Sequence, residues 1–180
     1  PGFYESGTCG NYGDTCLSCT GIRDMDWAAR TQNTPATPQN FLTNNCGGGG
    51  GPCGKEVHCE SYPSSEAMFD LATRDLTAIG QDADTAWQTA ERLFYQSRNG
   101  SGGNNYNCSL PSSDGCGTNS WYHKLRVADD DDGNLNNGTP HAKAIFDAFA
   151  RHNIACGTAA DATNKNSTGC AALAKPVITQ

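Results

Sequence analysis

The chain has 180 residues, of which 36% are hydrophobic, with 21 glycines, ten cysteines, a net charge of −7 and a pI near 4.9. The length suits one domain, and the acidic balance leaves no basic stripe to displace counterions from phosphates, which argues against a nucleic-acid partner. No apolar run approaches the roughly 18 residues that a membrane helix needs.

Residues 1–60 carry no sustained helical period. They contain "TPATPQNF" and "NNCGGGGGPCG", in which proline fixes φ and consecutive glycines disfavour regular structure. The ten cysteines fall in local groups: Cys9, Cys16 and Cys19; Cys46, Cys53 and Cys59; Cys108 and Cys116; Cys156 and Cys170. An even number among glycine-rich loops reads as a disulfide framework formed in an oxidising compartment, with Cys108–Cys116 and Cys156–Cys170 as the simplest closures. A zinc ribbon on Cys16-x-x-Cys19 is the competing reading, and it lacks a second C-x-x-C. A disulfide-rich chain needs export. This one opens "PGFYESGTCG" without methionine, so it is expected to be a secreted, processed piece with a leader and further sequence upstream.

Beyond Pro63 the pattern becomes helical. Met68, Leu71, Ala72, Leu76 and Ile79 form one apolar stripe ending at Gly80, with Glu66 as an acid at the helix N-terminus. A second helix is capped by Asp82 or Asp84, carries Trp87, Ala90, Leu93 and Phe94 on one face, and stops at "RNGSGG". "SWYHKLRVA", residues 120–128, reads as a short helix or strand. The last helix takes Thr139 as N-cap and Pro140 at its first position, with Ala142, Ile145, Phe146 and Phe149 on its apolar stripe. The expected fold is therefore mainly α, a single domain with a disulfide-stapled loop region at 1–60, a helical bundle at 61–156 and a small, polar tail at 157–180.

Three segments, in order, resemble the C-terminal domain of the thermolysin-like zinc peptidases and their fungalysin-like relatives. "GIRDMD" is similar to that family's arginine segment. "EVHCESYPSSEA" resembles its Val-His-x-Asn-Ser-Gly-x-x-Asn-x-Ala segment, with Ser61 kept and Glu60 and Tyr62 in place of asparagine and glycine. "AIFDAFARHNIA" resembles its final helix. The resemblance implies that His58, immediately before a helix, stabilises the oxyanion of the scissile carbonyl, and that Arg23 binds a backbone carbonyl of a peptide substrate. It further implies a zinc ion. No His-Glu-x-x-His occurs in the chain, so the zinc ligands belong to an upstream catalytic half of the same precursor. The family places an aspartate five residues before its histidine, where this chain has Cys53, leaving Glu56 or Asp24 to orient His58.

"ADDDDGNLNNGTPH" offers Asp130, Asp132 and Asn134 in a D-x-D-x-N spacing whose hard oxygens suit calcium, and it reads equally as an Asx-turn loop. His123, His141 and His152 read as surface residues. Asn99, Asn107, Asn137 and Asn166 begin Asn-x-Ser/Thr sequons, acceptors only in a eukaryotic secretory host. The function these readings imply is that of the C-terminal part of a secreted zinc metalloendopeptidase. The alternative is a non-catalytic extracellular structural or adhesive module, stabilised by calcium.

Overall fold

A computed structural model describes residues 37–38, 48–51, 53–98, 106–109 and 113–162. These residues are mainly helical. Helix α1 (Val57–Asp70) runs through a π-helical turn (Leu71–Asp75) into the short α2 (Leu76–Ala78). Then come α3 (Ala83–Ser97), α4 (Trp121–Asp129), a 3-10 turn (Leu135–Asn137) and α5 (Ala142–Arg151). Among the described residues the only β pairing is two isolated antiparallel bridges, Gly48 with Lys55 and Asn107 with Asp114.

Helix α1 begins at Val57, ahead of Pro63, which lies inside it and is fully buried. An interior proline costs about 3 kcal/mol of helix propensity, so the early turn needs outside support. Glu60 supplies it. Its carboxylate accepts the backbone N–H groups of Cys53 (3.0 Å) and Lys55 (2.7 Å), and its carbonyl accepts the Tyr106 hydroxyl at 2.5 Å. The backbone at Gly51 lies so close to this carboxylate that a Cβ there would collide with it, which accounts for one member of the glycine run. His58 is therefore in the first helical turn rather than before the helix. Glu66, expected near an N-terminus, is instead a mid-helix residue with 3% exposure.

The other boundaries follow their caps. Asp82 accepts the Thr85 N–H and starts α3, while Ser120 accepts the His123 N–H and makes residues 121–129 a helix rather than a strand. Helix α5 begins at Ala142, with His141 and not Thr139 at its N-cap position. The Thr139 hydroxyl is unavailable as a cap because it donates to Asp129.

Helix α5 packs on α1, the π turn and α4, and α3 packs on the π turn and α4. Leu71, Leu76, Leu93, Leu125, Ile145, Phe149 and Ile154 are completely buried at the centre. On α3 the buried line is Ala86, Thr89, Ala90, Leu93 and Ser97. Trp87 and Phe94, expected on that face, sit at its margin and pack their rings edge-on against Phe69 and Trp121.

Among the described residues, two disulfides, Cys53–Cys108 and Cys116–Cys156, replace the short closures expected from spacing. Hydrogen bonds between distant stretches of chain explain both. Tyr106, tied to Glu60, brings Cys108 beside Cys53. The Gly115 N–H donates to the Ala155 carbonyl at 2.9 Å, which sets Cys116 beside Cys156. Gly115 admits no side chain, since a Cβ would strike the Ile154 carbonyl. No helix among the described residues is long and apolar enough to cross a membrane. The disulfides fit an extracellular protein.

Phe149 has no exposed surface and meets the rings of Trp121 and Tyr122. Phe149→Ala should lower unfolding stability by about 3–5 kcal/mol. Denaturant titration with the disulfides intact measures it, and a loss below about 1 kcal/mol would contradict this core.

Candidate functional site

Of the residues singled out from sequence, only the aspartate loop lies wholly among the described residues. Arg23 lies outside them. The backbone of His58 sits in the first turn of α1, and its side chain also lies outside them. The aspartate loop forms a separate feature at the end of α4.

In that loop the backbone N–H groups of Asp132, Asn134 and Asn136 donate to the side-chain oxygens two residues earlier: Asp130 at 3.3 Å, Asp132 at 2.9 Å and Asn134 at 3.2 Å. These are successive Asx turns, the competing reading of the sequence. Asn137 donates its side-chain N–H to Asp132 as well. Asp130, Asp131 and Asp132 each bring a carboxylate oxygen within 4.8 Å of the others. The donor set is all oxygen, which suits calcium. It does not suit zinc, and no other cluster of three His, Cys, Asp or Glu ligands occurs among the described residues.

Among the described residues, the most organised polar group is one that the sequence pattern places at the surface. Asp129, at the end of α4, has a side chain 1% exposed and faces His141, 18% exposed, at the start of α5. The His141 Nδ1 lies 2.6 Å from Asp129 Oδ1. Asp129 Oδ2 accepts the His141 backbone N–H at 2.7 Å and the Thr139 hydroxyl at 2.6 Å. A carboxylate that already accepts from an obligatory N–H donor and a hydroxyl is the natural acceptor for an Nδ1 proton. The other ring nitrogen, Nε2, lies 2.9 Å from the side-chain amide nitrogen of Gln81, in the link between α2 and α3. An amide nitrogen only donates, so Nε2 is the acceptor there and Nδ1 carries the proton in the neutral ring. Gln81 Oε1 is buried and finds no hydrogen-bond partner among the described residues.

A second buried cluster joins the end of α5 to the π turn. Arg151 donates two bonds to Asp75, Nη1 to Oδ2 at 3.2 Å and Nη2 to Oδ1 at 2.8 Å, and a further bond to Asp70. His152, 4% exposed, places Nε2 3.4 Å from Asp70 Oδ2. Burial disfavours charge on both acids. At Asp70 the hydrogen bonds from His152 and Arg151 outweigh it and hold the pKa below the ordinary value. At Asp75 burial prevails over Arg151 and leaves the pKa raised.

His141 and His152 are thus fixed, largely buried imidazoles facing carboxylates. Sequence pattern missed them because each lies at a helix end, where exposure is the default. The available signal was a run of four aspartates leading into Thr-Pro-His. No protein-family model, curated protein or solved structure matches the chain.

Asp129 holds three donors, each worth about 0.5–1.5 kcal/mol net. Asp129→Ala should therefore cost roughly 2–4 kcal/mol of unfolding stability, and His141→Ala distinctly less. Equal, small losses in the two variants would show that the carboxylate does not organise this junction.

Proposed function

We propose that this chain is the C-terminal part of a secreted zinc endopeptidase and presents an oriented imidazole to a peptide substrate. The observation that carries the reading is the Asp129–His141 pair, a ring fixed through Nδ1 by a buried carboxylate. The ordered resemblance of three segments to the thermolysin-like peptidases supports the same reading, since that family requires a histidine oriented by an aspartate. Two histidines compete for the role. His58 has it by resemblance, with Cys53 where the orienting aspartate would stand. The Asp129 contact supports His141 for it.

The described residues offer no zinc ligand set, and in this reading the metal belongs to the upstream half. A protonated His141 would donate from Nε2 toward negative charge on a carbonyl oxygen while Asp129 balances the ring's charge. The neutral ring holds the Gln81 amide instead. Rotating that amide by half a turn exchanges its donor for its acceptor, Oε1, so the same side chain can face either protonation state. Arg23, by resemblance, binds a substrate carbonyl through its donor fork.

One observation favours a different reading. Gln81 satisfies Nε2, and the Asx turns satisfy the aspartate loop, as in a structural or adhesive extracellular module stabilised by calcium. Activity separates the two.

The intact precursor should cleave peptides in a chelator-sensitive way. Within it, His141→Ala should lower kcat by about 10²–10³-fold with little change in KM, as expected for a donor engaged in the transition state. Arg23→Ala should raise KM as well as lower kcat. Full activity in His141→Ala with loss in His58→Ala would return the role to His58. Loss in neither variant would support the structural module.

Calcium at the aspartate loop has its own test. Saturating calcium should raise the thermal midpoint, and Asp132→Ala should abolish the gain. An unchanged midpoint leaves the loop as a set of Asx turns.

A further inference from the structure

The π turn in the first helical run has a specific holder. The Leu76 N–H bonds to the Leu71 carbonyl, five residues back, so the turn contains one residue more than an α turn. Asp70 and Asp75 are also five residues apart. On an uninterrupted α-helix they would be separated by about 140° around the axis. The extra residue brings them to one side, where both accept from the single Arg151 guanidinium at the end of α5. Asp75 is 5% exposed and stands between the fully buried Leu71 and Leu76, on a face that would otherwise be apolar. The exposed side of the turn is completed locally by hydroxyls. Thr73 donates to the Phe69 carbonyl at 2.8 Å and Thr77 to the Arg74 carbonyl at 2.8 Å.

We infer that Arg151 is a latch that retains the extra residue of the π turn, and that it thereby sets the rotation of the N-terminal half of α1 about its own axis. Reversion of the turn to α geometry would rotate everything before it by about 100° relative to α2 and α3. That half carries His58 and Glu60. The Glu60 carboxylate keeps its two backbone donors, at Cys53 and Lys55, only in the present rotation, and the Glu60 carbonyl keeps the Tyr106 hydroxyl only there. The clamp at Asp75 and the glycine loop around Glu60 are fifteen residues apart along the helix, about 20 Å. They are coupled through its rotation. The inference is independent of the proposed peptidase function, for which it would make Arg151 the positioning residue of His58.

The test is amide hydrogen exchange at Cys53 and Lys55, the two donors to Glu60, in the full chain. Arg151→Met should lower their protection at least tenfold while the α3–α4 core stays protected. Deleting the exposed Thr73 removes the extra residue, turns the segment into plain α-helix and leaves Asp70 and Asp75 four residues apart, still on one face. The deletion should therefore keep both amides protected by itself and restore them in the Arg151→Met background. A merely structural loss at Arg151 would not be repaired by removing an exposed residue from another helix. Wild-type protection in a folded Arg151→Met variant would overturn the inference, as would failure of the deletion to restore it. If Arg151→Met does not fold, the deletion in the wild-type background decides, because loss of protection there is the overturning result.

Discussion

Buried carboxylates are the constraint on which this structure depends. A chain with 36% hydrophobic residues and 21 glycines has limited apolar surface with which to order its loops. Glu60, Asp75 and Asp129, each at most 5% exposed, sit at three junctions where the helices meet loops or one another. Glu60 gathers the glycine loop onto α1, Asp75 ties the π turn to α5, and Asp129 joins α4 to α5. A buried charge is costly when any of its hydrogen bonds is missing, so each acid admits few alternative arrangements of the groups around it. Of the disulfides among the described residues, Cys53–Cys108 falls beside the Glu60 junction. Cys53 is itself a donor to Glu60, and Cys116–Cys156 closes next to the Gly115–Ala155 backbone pairing.

The helices were legible in the sequence where local chemistry decides them. Asp82, one of the two caps expected for α3, does cap it, and the stripe of Ala142, Ile145, Phe146 and Phe149 is the buried face of α5. What was not legible depends on partners distant in sequence. Pro63 reads as a helix boundary because nothing nearby announces that Glu60 will be anchored from residues 53, 55 and 106. Thr139 reads as a cap because Asp129, ten residues earlier, is not visibly its acceptor. The cysteine partners follow from Tyr106 and Gly115 rather than from spacing. Asp75 within the Leu71–Leu76 stripe was the one local hint of the π turn, an acid on a face due for burial.

The same division applies to the candidate site. Resemblance directed attention to Arg23 and His58, and composition to Asp130, Asp132 and Asn134. The described residues instead bring together Asp129, Thr139, His141 and Gln81 from three separate stretches of chain. The end of α4, the start of α5 and the link between α2 and α3 make that convergence, around a core that includes Leu125 and Ile145. The arrangement fixes a ring, balances a charge and leaves one nitrogen against a side chain that can turn. These are the properties required of an acid–base or oxyanion group, and they would be retained in a structural module descended from one.

Everything proposed for the site depends on the orientation of His141 by Asp129. The most direct test of that orientation is nitrogen NMR of the imidazole in the folded protein. The expected result is a neutral ring protonated at Nδ1 and bare at Nε2, with the preference abolished by Asp129→Asn. A neutral wild-type ring protonated at Nε2, or exchanging freely between the two tautomers, would contradict it.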